Sequence, residues 1–557
     1  MKRKLSIVLM LVLCLSLILG GCVVSDGGKV SDVPSGTTDE EDSFYVTPAG
    51  QLPIVKEKIT LTAFQIMNAG IVDYETNEFT KWLEEQTNIH LDWMLQPEAD
   101  VNSKLNLILA SGTGLPDIFI RPSISRTLLV EYSAQDVFLP LNDYIEEYGV
   151  EIKRYAEMYP ELIPTITLPD GNIYSLFSKK EVHNLEHRTR YWMNQTWLDT
   201  LNLSIPTTTD ELYNVLVAFR DGDPNGNNKK DEIPLTGLKG NNGEKKDGFI
   251  MNAFVYNDVW ARKLNMSNGI VEASYTKPEY KEGIVYIRRL AAEGLLDPLS
   301  FTQDPAQLRQ LVNNPEVMLV GSVLADNYNR YAGGRNFESV EHFVIVPPLK
   351  GPNGHQAAVY TPNRAGVGSY VVTKQCKYPE AAFRLGDFLF SDEAALRSQY
   401  GVPGVDWIEP DPALGLLGIN GKPATLKPIL EWGSTQNQAW AVMGCSYIPE
   451  KYANGIAIDT SDPFEFELIL YNAAKAHHAY AYDEPWPTLY FTPEETTEKA
   501  SMDTQITTYV EEFFARMVLE ENVDLDKEWD VFQSELIKIG LPRYLELHQI
   551  CYDRMYK

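Results

Sequence analysis

Residues 221–232, with the sequence DGDPNGNNKKDE, place oxygen-bearing side chains at alternating positions of a short polar segment. Ca²⁺ in proteins takes about six to eight oxygen ligands, and such side chains can converge on one point in a tight loop. Gly226 and Asn228 tolerate the left-handed backbone conformations that a tight loop needs. The segment therefore predicts a structural calcium site. In the preferred frame, the ligands are the backbone carbonyl of Lys229 and the side chains of Asp223, Asn225, Asn227, Asp231 and Glu232.

A second frame starts at Asp221 and matches the EF-hand pattern. It fills positions 3, 5, 6 and 12 of that pattern with Asp223, Asn225, Gly226 and Glu232. This frame puts Lys229 at position 9, where a lysine side chain is a poor direct ligand. The first frame is favoured because it uses only the Lys229 carbonyl and includes Asp231. An Asx-rich surface turn without metal is the alternative to both frames.

Sugar-binding chemistry is the second possibility that the residue types raise. Sugar sites combine flat apolar faces with a few polar groups, and the chain has 10 Trp, 30 Tyr and 21 Phe. Tryptophans in polar or glycine-rich segments, and polar residues that directly follow predicted strands, are the candidates. For each tryptophan the alternative is core packing, and for the arginine it is a surface ion pair. The predicted ligand-binding residues are Asn68, Arg121, Trp260, Trp407, Trp432 and Trp440.

The elements that must position these residues alternate between strand and helix. The apolar pattern predicts strands at 58–66, 90–95 and 116–120, with helices at 79–85 and 101–110. This β-α-β-α-β order predicts an α/β fold whose sheet is mostly parallel.

The predicted calcium loop follows a well-defined amphipathic helix. Thr208 and Glu211 have the spacing of a capping box, and an apolar stripe follows at Leu212, Val215, Leu216 and Phe219. Further helices are predicted at about 279–293, 382–389 and 504–519.

The first residues predict export and lipid anchoring. Lys2, Arg3 and Lys4 precede an apolar run from residue 5 to residue 19, which is shorter than the roughly 20 residues of a membrane span. Leu19-Gly20-Gly21-Cys22 then resembles a lipobox. Residues 1–21 are predicted to be a signal peptide, Cys22 to carry lipid, and residues 22–55 to form a flexible tether. An ordinary signal peptide with an incidental cysteine is the alternative.

Composition and missing motifs exclude several classes of function. The 557 residues carry a net charge of −29, which repels nucleic acid. The chain has no P-loop, no G-x-S-x-G elbow and no H-E-x-x-H motif, so no catalytic residue and no enzyme activity are predicted. Cys376, Cys445 and Cys551 are expected to be buried free thiols, with one disulfide as the alternative.

Several short segments, in order along the chain, resemble the family 1 extracellular solute-binding proteins of ABC importers. Within that family the chain is similar to the large lipoprotein subgroup that includes the alginate-oligosaccharide-binding proteins. The segments are SG at 111–112 with LPD at 115–117, DGNIYSL at 170–176, WMNQTWLD at 192–199, EGLLDP at 293–298, PPLKGP at 347–352 and GVPGVDW at 401–407.

The resemblance implies a two-lobed periplasmic-binding-protein-like α/β fold with a hinge, an interlobe cleft and a helix-rich C-terminal part. The approximate lobes are 56–180 with 342–395, and 181–341 with 396–557. The expected protein is a monomer on the extracytoplasmic face of the cell membrane that delivers an oligosaccharide or other polar solute to an ABC permease. In the alginate-binding relatives the loop equivalent to 223–232 holds one calcium ion, which supports the first frame.

Two other functions use the same features. A surface glycoside hydrolase or polysaccharide lyase would cleave the glycan instead of carrying it, and a ligand-binding partner of a sensor kinase would use the same cleft. The net charge of −29 mildly disfavours polyuronates as ligands, because long-range repulsion opposes their capture.

Overall fold

Two β-sheets, joined by crossover segments of the chain, position the candidate residues. The computed structural model describes residues 45–557 apart from residues 99, 122–123, 240–244, 333–340, 363–364, 431–433, 442–443, 445–446 and 460–465. The strands are β1 (Ile59–Met67), β2 (Ile89–Pro97), β3 (Ile118–Ile120), β4 (Leu176–Lys180), β5 (Tyr191–Asn194), β6 (Thr236–Gly237), β7 (Leu264–Ser267), β8 (Ile270–Ala273), β9 (Ser322–Leu324), β10 (Phe343–Ile345), β11 (Gly366–Val372), β12 (Trp407–Ile408), β13 (Lys427–Pro428) and β14 (Tyr447–Ile448).

Helices cover the sheets and dominate the C-terminal part, as the sequence predicts. They are α1 (Glu78–Thr87), α2 (Val101–Ser111), α3 (Arg126–Ser133), α4 (Asn142–Tyr148), α5 (Glu151–Met158), α6 (Leu162–Ile166), α7 (Gln195–Thr200), α8 (Thr209–Asp221), α9 (Lys246–Phe249), α10 (Pro278–Ala292), α11 (Pro305–Val312), α12 (Pro379–Phe388), α13 (Asp392–Tyr400), α14 (Glu450–Ala453), α15 (Phe466–His478), α16 (Pro493–Leu519), α17 (Leu525–Ile539) and α18 (Leu541–Tyr556).

Each sheet contains one strand that runs against the others. The first sheet has the order β14-β4-β11-β3-β1-β2 and the second has the order β10-β5-β9-β6. In the first sheet β11 is antiparallel to both of its neighbours, β3 and β4, whereas β1 is parallel to β2 and β3, and β14 is parallel to β4. In the second sheet β5 is antiparallel to β9 and β10. The prediction of a mostly parallel sheet is therefore confirmed for the first sheet.

The two antiparallel strands, β5 and β11, are the strands that the chain enters directly from the other sheet. The segment 181–190 leads from the end of β4 to the start of β5, and the segment 346–365 leads from the end of β10 to the start of β11. We call these segments the first and second crossovers. Both join the edge where β1, β3 and β4 end to the edge where β6, β9 and β10 end. This topology gives a two-lobed α/β fold whose crossovers connect two corresponding sheet edges.

Alternating side chains bury both faces of the first sheet. Leu61 and Ala63 of β1 pack into one core, and Phe64 packs into a second core with Phe119. The second sheet is also buried on both faces, with Met193 in the core formed by α8, α10 and the C-terminal helices, and Trp192 in a separate core. Two-sided burial explains why β3, with the sequence IFI, is apolar at every position.

The C-terminal third contributes to the first sheet as well as the second. β14 pairs with β4, and Trp440 lies in the core of the first sheet. Both lie within residues 396–557, which the sequence assigned to the second lobe. The chain returns to the first sheet because the end of β4 offers an unpaired strand edge that β14 covers.

Other features of the described residues bear on export and redox chemistry. No helix in these ranges combines the length and apolar character needed to cross a membrane. Cys376 and Cys551 are buried free thiols, as predicted, and Cys445 lies outside the described residues.

A buried carboxylate ties α5 to α12. Helix α5 has no capping side chain at its own N-terminus. The Asp387 carboxylate of α12, 5 % exposed, instead accepts hydrogen bonds from the backbone N–H groups of Val150, Glu151 and Ile152 at 3.0, 3.1 and 2.9 Å. A carboxylate at a helix N-terminus satisfies backbone donors and interacts favourably with the helix dipole.

We expect Asp387→Ala to lower the free energy of unfolding by about 2–3 kcal/mol, because three backbone donors, one of them buried, lose a charged acceptor. Scanning calorimetry or urea unfolding measures the change. Asp143→Ala removes an exposed carboxylate from the first turn of α4 and should stay within about 0.5 kcal/mol of the parent. Equal effects of the two substitutions would contradict the capping role.

Histidines join the crossovers to α15. The Nδ1 of His187 lies 2.9 Å from the Val359 carbonyl, so this nitrogen donates. Its Nε2 then accepts from Nδ1 of His478, 3.2 Å away. The Nε2 of His477 lies 3.3 Å from the carbonyl of Val346. Complete burial, helped by the charge of Arg190, lowers the pKa of His477 to about 3.

Because the pKa of His477 is depressed in the folded state, unfolding takes up a proton between about pH 6.5 and pH 3. Acidification through this window should therefore lower the thermal midpoint. We expect His477→Gln, which keeps a donor for the Val346 carbonyl, to show a shallower fall in midpoint from pH 7 to pH 4. Between pH 7.5 and pH 8.5 the thermal midpoints of the two proteins should change with pH in the same way. Equal changes of the midpoint with pH below pH 6 would refute the assignment of the proton uptake to His477.

Candidate functional site

The edge of the first sheet carries two predicted residues. Asn68 follows β1, and its side-chain oxygen accepts from the N–H of Gly70 at 2.8 Å. Arg121 follows β3 in a left-handed conformation with φ of 51°, and its N–H donates to the carbonyl of Ser369 at 2.8 Å. Both residues are half-buried at the edge to which the crossovers connect. The structure thus places both at the end of the strand that the sequence predicted.

Trp260 is attached to the first crossover at the second sheet. It lies in a single turn of 3₁₀ helix, Val259–Ala261, whose first N–H groups bond to the Asp258 carboxylate. Its ring N–H donates to the Thr189 hydroxyl at 3.2 Å, and the Arg188 guanidinium lies 3.8 Å from the ring centroid. The half-buried indole is therefore fixed at both its polar edge and one face.

Charged side chains surround this indole. Burial lowers the pKa of Arg188, and the carboxylates of Asp326 and Asp258 oppose that shift. Burial raises the pKa of Asp258 to about 6, against the hydrogen bonds from the backbone of Trp260 and Ala261. The Nε of Arg188 has no hydrogen-bond partner among the described residues. A flat ring next to unsatisfied and charged hydrogen-bonding groups is chemistry suited to a hydroxylated ligand.

Sequence reasoning missed Arg188, Asp258 and Asp326 because each is distant from the others along the chain. Two local signals were available. Arg188 lies three residues before Tyr191, which opens β5, and Asp326 lies two residues after Leu324, which ends β9. Polar residues at these positions face the edge where ligands bind in open α/β sheets.

The structure places Trp407 and Trp440 in hydrophobic cores. Trp440 is fully buried, packs edge-on against Phe79 and Trp93, and donates its ring N–H to Thr80 at 2.8 Å. Trp407 is 6 % exposed and donates to the Gly401 carbonyl at 3.0 Å. Neither indole leaves a face for a sugar ring in this structure, because protein side chains cover both.

Two predicted positions lie outside the described residues. These are Trp432, proposed as a ligand platform, and Cys22, proposed as the lipidated residue.

The predicted calcium loop converges on its carboxylates. Asp231 accepts hydrogen bonds from the side-chain amides of Asn225 and Asn227 at 3.1 Å. Asp223 accepts from the backbone N–H groups of Asn227 and Asn228 at 3.1–3.2 Å. Left-handed conformations at Asp223, Gly226 and Asn228 bend the chain sharply enough to bring these groups together.

Two further observations concern the oxygens of this loop. Glu232 Oε1 is buried without a hydrogen-bond partner in the described chain, and burial raises the pKa of Glu232. Asp221 instead pairs with the Arg220 guanidinium through two contacts of 2.8 Å. Asp223 and Asp231 thus both bond to Asn227, whereas Asp221, where the second frame starts, bonds to Arg220. The described residues contain no cluster of three His, Cys, Asp or Glu placed for a metal ion, and the loop's oxygen set depends also on asparagines.

Comparisons with known proteins agree with the two-lobed fold. The fructooligosaccharide ABC transporter substrate-binding protein FusA of Streptococcus pneumoniae is 28 % identical over 519 residues, which cover 90 % of this chain and 91 % of FusA. Solved structures of FusA with kestose, and of a FusA EF-hand mutant with fructo-nystose, each match with a TM-score of 0.72 and 26 % identity, covering 89 % of this chain and 99 % of theirs. The alginate-binding protein AlgQ2 shares the fold, with a TM-score of 0.63 at 22 % identity over 90 % of this chain and 99 % of that one.

A family model described as bacterial extracellular solute-binding protein matches residues 68–396. That range begins at Asn68 after β1, includes both crossovers, and ends in α13. The chain therefore belongs to the bacterial extracellular solute-binding protein family.

Proposed function

We propose that this protein captures a short oligosaccharide between the two sheet edges joined by the crossovers and delivers it to an ABC permease. The observation that carries the proposal is the indole of Trp260, fixed at the edge of the second sheet beside Arg188 and Asp258. An aromatic face packs against the C–H groups of a sugar ring, and the charged groups bond to its hydroxyls. Asn68 and Arg121 supply polar groups from the facing edge.

A neutral sugar suits this site better than a polyuronate. The net charge of −29 opposes the capture of a polyanion, and Asp258 adds a buried carboxyl group beside Trp260. FusA, which aligns over 90 % of this chain, is named for fructooligosaccharides and has been solved with kestose. We therefore propose fructooligosaccharides of a few residues as the first ligands to test, and lipidation at Cys22 as the attachment to the extracytoplasmic face of the membrane.

We expect the chain to bind its sugar without cleaving it. Kestose binding, measured by calorimetry and followed by chromatography of the recovered sugar, tests both points. Trp260→Ala should raise the dissociation constant about tenfold or more, since a stacked aromatic contributes about 1.4 kcal/mol or more. Trp407→Phe, at an indole buried in a core, is the matched control and should stay within about twofold. Hydrolysed kestose would identify a glycosidase, and an unaffected Trp260→Ala variant would refute the site.

We also propose that residues 223–232 bind one structural Ca²⁺. The donors offered are all oxygen, as this hard cation prefers: Asp223, Asn225, Asn227, Asp231, Glu232 and the Lys229 carbonyl. Convergence of Asp223 and Asp231 and the unpartnered Glu232 oxygen support the assignment. A bound Ca²⁺ would balance the charges of the Asp223 and Asp231 carboxylates, which both lie against Asn227. The loop leads from α8 to β6, and directly after the loop the N–H of Ile233 donates to the Leu319 carbonyl at 2.8 Å. A cation in the loop would therefore fix the end of α8 to the second sheet.

We expect added Ca²⁺ to stabilise the parent by about 2.7 kcal/mol at 100 times its dissociation constant, and a chelator to reverse the effect. Asp231→Ala should abolish the response of the thermal midpoint. Asp221→Asn separates the two frames: the first frame predicts an unchanged response, and the EF-hand frame predicts its loss. A parent whose midpoint ignores both calcium and chelator would show that the loop is a metal-free turn.

A further inference from the structure

A cavity of about 560 Å³ opens on the second lobe, away from the residues assigned to the sugar cleft. Its lining comes from the second lobe, the second crossover and the segment after α15. Tyr256, Asn265 and Glu272 belong to the second lobe, whereas His355 belongs to the second crossover and Tyr482 follows α15. Asn68, Arg121 and Trp260 do not line it. The cavity has the size of a site for one or two sugar rings, since small-molecule pockets span about 300–1,000 Å³.

Two tyrosines form a rigid wall of the cavity. The rings of Tyr256 and Tyr482 stack with centroids 3.9 Å apart and an interplanar angle of 10°. The Tyr482 hydroxyl donates to the carbonyl of Met266 at 2.9 Å, which fixes the ring in the plane of the stack. A fixed aromatic wall offers packing area to a ligand at little cost in conformational entropy.

Polar atoms at this wall have no partner within the described protein. Asn265 is 7 % exposed; its side chain hydrogen-bonds to Tyr482, and its Oδ1 accepts nothing. His355 Nε2 is likewise buried and unpartnered. Burial lowers the pKa of His355, so the ring is neutral at pH 7 and Nε2 can donate or accept according to its tautomer. Leaving such buried groups unsatisfied is unfavourable, so a ligand that bonds to both is favoured.

The charges around the cavity select a neutral ligand. Lys277 is paired with Glu272 at 2.9 Å, so its charge is already balanced. Glu279 adds a further carboxylate to the lining. Anions are disfavoured by these carboxylates, whereas hydroxyl groups can donate to them and to Asn265 Oδ1.

We propose that this cavity is a second binding site, separate from the cleft, for a neutral hydroxylated molecule of monosaccharide or disaccharide size. The ring of the sugar packs on Tyr482, which the buried ring of Tyr256 supports from behind. One hydroxyl donates to Asn265 Oδ1, and another bonds to His355 Nε2. The occupant contacts both the second lobe and the second crossover, because the lining is drawn from both.

The test titrates the full mature protein with glucose, fructose, sucrose and trehalose, by calorimetry or protein-detected NMR, after the cleft has been saturated with kestose. We expect at least one of these sugars to bind in addition to kestose. His355→Leu should weaken this second binding about tenfold, because one hydrogen bond is lost. Its thermal midpoint without sugar should not fall, since Nε2 bonds to nothing in the described protein. Asn265→Leu, of similar size, removes the Oδ1 acceptor without adding a buried charge and should weaken the same binding.

Failure of this site is distinguishable from failure of the cleft. Trp260→Ala should weaken kestose and leave the second binding unchanged, and His355→Leu should do the reverse. Absence of any additional binding at millimolar sugar concentrations would overturn the proposal. So would a second binding that is lost with Trp260→Ala and kept with His355→Leu, because the sugar would then occupy the cleft.

Discussion

The two crossovers are the constraint on which the rest of the structure depends. A segment that leaves one sheet at its carboxyl edge and enters the other sheet at the corresponding edge must begin a strand of opposite direction. β5 and β11 are those strands, and each is antiparallel to both of its neighbours. The ends of β1, β3, β6 and β9 are thereby gathered at the edges that the crossovers connect. Ligand-binding groups at those ends follow from the direction of the strands.

The first crossover buries several polar and charged side chains. Arg190, 2 % exposed, donates to the backbone carbonyls of Asn184 and Asp326, and burial lowers its pKa to about 10. His187 and His478 bond to one another beside it. Buried polar groups are costly unless they are hydrogen-bonded, so these bonds favour one arrangement of the crossovers over others, although Arg190 Nε itself has no partner among the described residues. The crossovers, whose described residues form only one short 3₁₀ helix at 183–185, thus acquire a defined path between the lobes.

The same logic applies to the loop at 223–232 and to the cavity beside Tyr256. In each, polar atoms are brought together with fewer partners than they can use, as Glu232 Oε1 and Asn265 Oδ1 show. The loop presents oxygen ligands with three carboxylates, which suits a cation. The cavity presents an amide, an imidazole and aromatic faces, which suits a hydroxylated molecule. The chemistry of the unsatisfied atoms, more than their position in the fold, separates the two proposals.

Features formed by residues close together in the chain could be predicted from the sequence alone. Helix α8 begins at the expected cap, with Thr208 accepting from the Glu211 N–H at 3.1 Å, and the loop after it converges in the preferred frame. These features depend on residues a few positions apart, and so did the alternating pattern of β1, β2 and β3. The binding tryptophans could not be sorted in this way. Trp440 and Trp260 both stand in polar stretches of sequence, yet Thr80, 360 residues away, receives the ring N–H of Trp440 in a core.

Only the tertiary structure brought Arg188 onto Trp260 and Asp326 to the same sheet edge, because segments separated by up to 138 residues meet there. What the sequence by itself determined was therefore the set of local elements and the family, whereas the metal-loop frame stays a prediction. The tertiary structure decided which aromatic rings remain open to a ligand, since exposure depends on distant packing partners and not on neighbours in the chain.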